Sequence, residues 1–156
     1  MPDVEPLSTS EERAWRALAR VMLTLPRLLD ADLVAATGLS MPAYGVLMNL
    51  SEAPGRRLRM TELAGRNSLS PSRLTRIVDE LVEAGLVCRE RSADDGRGFV
   101  AILTPAGLRQ LRRAYPAHLA SVRARVIDNL DGLDLDQLAD ALTRVAERRA
   151  RPRAAR

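Results

Sequence analysis

From residue 70 to residue 84, Leu74, Ile77, Val78, Leu81 and Val82 fall at i, i+3, i+4, i+7 and i+8, which confines the apolar side chains to one face of a helix. Gly85 follows, the residue best able to turn left-handed just past a helix end. Residues 86–91 and 99–103 then read as two strands joined by a polar, glycine-containing loop, a hairpin. Upstream, residues 61–64 read as a short helix and Asn67-Ser68-Leu69 as a turn, and Leu58-Arg59-Met60 could add a short strand. Short helix, turn, longer helix and hairpin, in that order, leave few folds open. The expectation is a helix-turn-helix followed by a wing, in a mainly α chain.

Both flanks of this middle carry longer helical patterns. Ser8-Thr9-Ser10-Glu11-Glu12 offers overlapping capping boxes, Ser8 with Glu11 and Thr9 with Glu12. Behind them Trp15, Leu18, Met22, Leu25 and Leu29 form an apolar seam of the kind that packs on another helix. Pro26 lies within it and should kink it, and Gly38 ends the segment. Ser40-Met41-Pro42 starts a second helix with Tyr44, Val46, Leu47 and Leu50 apolar, stopped by Ala53-Pro54-Gly55. After the hairpin, Thr104-Pro105 is an N-cap with proline at the first helical position. Leu108, Leu111, Tyr115, Leu119, Val122, Val126 and Leu130 form a second long seam. Asp134 to Gln137 cap a last helix bearing Leu138, Leu142 and Val145, and the arginine-rich tail from 148 to 156 is expected to fray.

Aromatic residues make up only 3% of the chain, so the core must be built from aliphatic side chains, and alanine and leucine favour helices. With 156 residues the chain is most simply one domain, in which two terminal seams have little to bury against. Pairing with a second copy resolves this. The expected organisation is one domain over 1–156: helices at 8–37 and 105–149 for dimerisation, and a winged helix-turn-helix core at 40–104.

The start of the helix at Ser70 breaks local rules. With Ser70 as N-cap, Arg73 occupies the position where a capping box wants Glu or Gln, and Arg76 repeats the positive charge one turn on. Cations here oppose the helix dipole, at a cost of about 0.3–1 kcal/mol. A nearby phosphate reverses that sign, because free N–H groups and both guanidiniums then face an anion. The face bearing Ser70, Ser72, Arg73, Thr75 and Arg76 has the short polar groups and bidentate donors suited to base edges in a major groove. Taken alone it could equally be a solvated face. The hairpin loop tilts the choice: Arg97 lies between Gly96 and Gly98, and Asp95 could orient its guanidinium. An arginine presented in this way can enter a minor groove.

These residues together resemble the MarR family of bacterial winged helix-turn-helix regulators. The resemblance rests on Leu63-Ala64, Ser70-Pro71-Ser72-Arg73-Leu74-Thr75-Arg76-Ile77-Val78-Asp79-Glu80-Leu81, Gly85-Leu86-Val87, Asp95-Gly96-Arg97-Gly98 and Leu103-Thr104-Pro105-Ala106-Gly107, and it covers essentially the whole chain. It implies a homodimer with intertwined terminal helices, in which residues 70–76 meet the major groove and Arg97 the minor groove. It also implies a pseudo-palindromic double-stranded DNA operator, repression of transcription, and release by a small-molecule effector bound between the dimer helices and the winged domain. Two-fold symmetry would set the recognition helices roughly 34–36 Å apart. Trp15, Met22, Tyr44 and Met48 are the candidates for lining the effector pocket.

The composition narrows the rest. All 24 basic residues are arginine, and the net charge of +4 is modest, so placement and not total charge carries the nucleic-acid argument. No run approaches the about eighteen apolar residues of a membrane span, and the acidic start of the chain lacks a signal-peptide pattern. One cysteine and one histidine argue against a disulfide framework or a metal site. The expectation is a cytoplasmic protein without metal or cofactor. Cys88, on the first wing strand, is expected to be an inert core residue and not a redox sensor. His118 is expected to be a solvated or interface residue. No nucleophile–base–orienter set is visible, so an enzyme is not expected. The rival to a DNA-binding regulator is a winged-helix protein-interaction module whose arginine face meets an acidic partner.

Overall fold

The computed structural model describes residues 5–91 and 98–147. They form helices α1 (Thr9–Thr37), α2 (Met41–Glu52), α3 (Met60–Arg66), α4 (Pro71–Glu83), α5 (Pro105–Arg125) and α6 (Leu135–Glu147), with strands β1 (Arg57–Arg59), β2 (Val87–Arg91) and β3 (Phe99–Leu103). The described residues divide into two units after Val122. No single helix among them is long and apolar enough to cross a membrane.

In the first unit, α1 starts on a capping box. Ser8 accepts from the Glu11 N–H, and the Glu11 carboxylate accepts from the Ser8 N–H at 2.8 Å. Only this one of the two overlapping boxes forms, because Thr9 already lies inside the helix. The helix runs through Pro26 without a break in its assignment and ends at Gly38, which takes a left-handed φ of 72°. Asp30 on α1 accepts from the Met41 N–H at 2.7 Å and so fastens the start of α2.

The core gathers on α2, α3 and α4. Val46, Leu47, Leu50, Leu63, Leu74 and Val78 are almost fully buried, as the helical spacing around residue 78 requires. Ser70 caps α4 and accepts from the Arg73 N–H. The turn between α3 and α4 depends on Asn67. Its Nδ2 donates to the Leu63 carbonyl at 2.8 Å, and its Oδ1 accepts from Asn49 of α2 at 3.3 Å. A Cβ at Gly45 would stand 2.8 Å from that Oδ1, so glycine there lets the turn approach α2.

The expected hairpin is part of a three-stranded antiparallel sheet in the order β1-β3-β2. The short strand anticipated near residue 58 is present one residue earlier, and Leu58 pairs with Ala101. Gly55 and Arg56 both adopt positive φ (61° and 55°) and turn the chain from α2 into this strand. Cys88 is exposed, which corrects the expectation of a core residue. The alternation of β2 places Val87 against the core, and its neighbour Cys88 must face the other way.

In the second unit α5 ends at Arg125, so the apolar series through Val126 and Leu130 is not one helix. Val126 leaves helical geometry (φ −123°, ψ −68°), and the Asn129 side chain donates to the Ala124 carbonyl at 3.0 Å, satisfying an orphan acceptor at the helix end. A single 3₁₀ turn, Ile127–Asn129, follows. In α6, Leu135, Leu142 and Val145 are exposed, and the helix has no buried residue.

Candidate nucleic-acid interface

Helix α4 sorts its residues cleanly. Leu74, Ile77, Val78 and Leu81 are buried, whereas Ser70, Ser72, Arg73, Thr75 and Arg76 are all exposed and lie together at its N-terminal end. The Ser70 and Ser72 hydroxyls stand 3.3 Å apart. Thr75 donates its hydroxyl proton to the Pro71 carbonyl at 2.9 Å. Its oxygen is therefore left as an acceptor beside its methyl group, a pair suited to a cytosine or adenine amino group or a thymine methyl. Arg73 and Arg76 have no acidic partner among the described residues. Exposed, unpaired cations at the positive end of a helix are what an anion would find there.

Immediately beyond α4, Leu86 leads into β2, and β2 returns as β3 through the loop that carries Asp95 and Arg97. Those two residues lie outside the described residues. The junction after the hairpin is well defined. The Thr104 hydroxyl lies 2.8 Å from the Gly85 carbonyl and 3.0 Å from the Leu86 carbonyl, and it accepts from the Gly107 N–H at 3.0 Å. One threonine thus caps α5 and anchors the end of the turn that follows α4.

The four candidate pocket residues do not assemble into one site. Tyr44 and Met48 of α2 line a cavity of about 370 Å³ together with Glu52, Leu108, Arg112 and Tyr115. Trp15 and Met22, at 54% and 53% exposure, are on the open face of α1 and do not line it. Glu52, Arg112 and Tyr115 were not among the sequence candidates for this cavity, because α2 and α5 are distant in the chain and nothing local signals that they meet. A second cleft, of about 580 Å³, lies between α1 and α4 and reaches Arg27, Arg73 and Arg76.

His118, expected to be a solvated or interface residue, is half-buried within the chain and not fully solvated. Its ring centroid is 4.7 Å from that of Tyr44, and its buried Nδ1 has no hydrogen-bond partner among the described residues. Burial holds its pKa below the ordinary value, and burial likewise raises that of Tyr44, with Tyr115 and Glu52 adding to the effect. The sign follows directly. Above about pH 6.5 the imidazole is neutral folded or unfolded, and its packing contributes in full. As pH falls through that value the unfolded chain takes up the proton first, and stability declines. A melting-temperature series across this range should show the decline, and His118→Phe should flatten it.

A short helix, a tight turn, an exposed polar helix and an adjoining antiparallel hairpin define a winged helix-turn-helix protein. Known proteins agree. A sequence model of the MarR family matches residues 37–98. The HTH-type transcriptional repressor YetL of Bacillus subtilis is 32% identical over 114 residues, covering 73% of this chain and 68% of YetL. Among solved structures, the MarR family transcriptional regulator Sco3205 of Streptomyces coelicolor, crystallised in complex with DNA, superposes with a TM-score of 0.86 at 37% identity. That likeness covers 94% of this chain and 92% of Sco3205. AbsC, a MarR family transcriptional regulator from the same organism, gives 0.83 at 40% identity over 92% of this chain and 97% of its own. The chain belongs to the MarR family.

Proposed function

We propose that this chain is a dimeric, sequence-specific double-stranded DNA-binding regulator that acts as a repressor and is released by a small molecule. The observation that carries the reading is the exposed Arg73 and Arg76 at the N-terminal end of α4, neither paired with an acid among the described residues, in a fold whose relative Sco3205 was crystallised in complex with DNA. Ser70, Ser72, Arg73, Thr75 and Arg76 contact base edges and nearby phosphates in the major groove. Arg97, oriented by Asp95, enters the flanking minor groove. Helices within 8–37 and 105–149 hold two copies together, which accounts for Trp15, Met22 and Leu23 being exposed on α1. The effector site is the cavity lined by Tyr44 and Met48, where two phenols, a carboxylate and a guanidinium surround an apolar floor. The protein works in the cytoplasm, needs no metal or cofactor, and catalyses no reaction.

Affinity against salt tests the reading. On a duplex selected from random sequence, log Kd plotted against log salt concentration should rise steeply, by about 0.9 for each phosphate neutralised. A flat plot, or capture of an acidic protein partner with no duplex retained, would favour the protein-interaction module instead. Sedimentation should show a dimer at micromolar concentration; a monomer there would defeat the two-fold operator.

A further inference from the structure

Arg89 stands where the alternation of β2 calls for an apolar side chain. Val87 and Arg89 face the same side of the sheet as their β3 partners Leu103 and Ala101, and Val87, Ala101 and Leu103 are buried. An arginine on a core face is costly unless something meets its charge. Two groups do. Its Nη2 lies 2.8 Å from Asp79 Oδ1 of α4, and its guanidinium carbon lies 5.7 Å from the centroid of the Phe99 ring on β3. The Asp79 contact is an ion pair by distance and not a directed hydrogen bond, since the buried Nε and Nη2 find no acceptor in hydrogen-bond geometry among the described residues. Asp79 sits one turn beyond Arg76 on the helix that carries the exposed arginines. Arg89 belongs to the strand entering the wing loop, and Phe99 opens the strand leaving it. One guanidinium therefore bridges three pieces: the recognition helix and both legs of the hairpin.

We propose that Arg89 is a positioning residue that, through Asp79 and Phe99, fixes the hairpin against α4 and so sets where the wing meets DNA while α4 occupies the major groove. This rests on the DNA-binding reading above. Arg89 is unlike Arg73 and Arg76 in the source of its effect, because its charge is already engaged within the protein and it need not touch DNA.

The test is a double-mutant cycle on the full-length protein, with a selected duplex at fixed salt. In the otherwise unaltered chain, Arg97→Ala should weaken binding about tenfold, the loss of one good groove contact. In Asp79→Asn or Arg89→Gln chains the same change should cost less than about twofold, and the A·T preference beside each half-site should flatten. Preference at the positions read by α4 should persist. Arg89→Lys, which keeps the cation, should restore part of the Arg97 increment. A purely structural pair would lower the melting temperature and leave that increment at its full size, which would overturn the inference. If Arg97→Ala has no effect in the otherwise unaltered chain, the wing reading itself fails and this inference falls with it.

Discussion

Replacing Arg73 and Arg76 together by alanine should abolish operator recognition while leaving the fold intact. Each side chain is exposed at the N-terminal end of α4, and neither is paired with an acid among the described residues. Loss of a base-edge contact costs about 1–3 kcal/mol, so losing two weakens specific binding by roughly a hundredfold or more. The salt slope should fall by about one for each arginine that also meets a phosphate. Stability should move the other way. Both cations oppose the helix dipole, so their removal should leave the melting temperature unchanged or slightly higher. Binding isotherms and thermal melts on the same double variant separate the two effects. Unchanged affinity would refute the assignment of α4 as the recognition helix. A collapse of the melting temperature would show that these residues belong to the fold.

Gly107→Ala should produce the largest loss of stability from a small change. Alanine is ordinarily the better helix former by about 1 kcal/mol, and Gly107 lies in the first turn of α5. A Cβ there would stand 2.1 Å from the Leu86 carbonyl oxygen and 2.7 Å from Leu103 Cδ1. The carbonyl cannot retreat easily, because the Thr104 N–H donates to it at 3.1 Å and the Thr104 hydroxyl lies 3.0 Å away. Overpacking of this kind costs about 3 kcal/mol or more, which for a chain of this length lowers the melting temperature by roughly 6–12 °C. Ala106→Gly, one residue away, should cost only about 1 kcal/mol, the propensity difference. If Gly107→Ala melts with the parent, the close approach of α5 to the end of the α4 turn is not real.

Some of this was legible in the residues. The spacing of Leu74, Ile77, Val78 and Leu81, the cap at Ser70 and the left-handed Gly85 placed α4 and its exposed arginines, because a helix face is set by residues a few positions apart. The run Leu103-Thr104-Pro105-Ala106-Gly107 was likewise visible as a cap. What it achieves was not visible, because the carbonyl that requires Gly107 belongs to Leu86 on the far side of the hairpin. The exposure of Cys88 has a related cause. Its neighbours allowed either face, and pairing with β3 chose the exposed one.

The sequence by itself determined the periodic elements, their caps and the charge pattern on α4, all of which depend on interactions within a turn or two of chain. The tertiary structure alone decided the contacts between distant segments. It paired β1 with β3, joined α2 to α5 around the Tyr44 cavity, ended α5 at Arg125 through Asn129, and set Arg89 between α4 and the wing. The physical reason is that a helix forms its own hydrogen bonds and shows its period locally. A strand register, a cavity wall or a buried charge has meaning only once packing has chosen its neighbours.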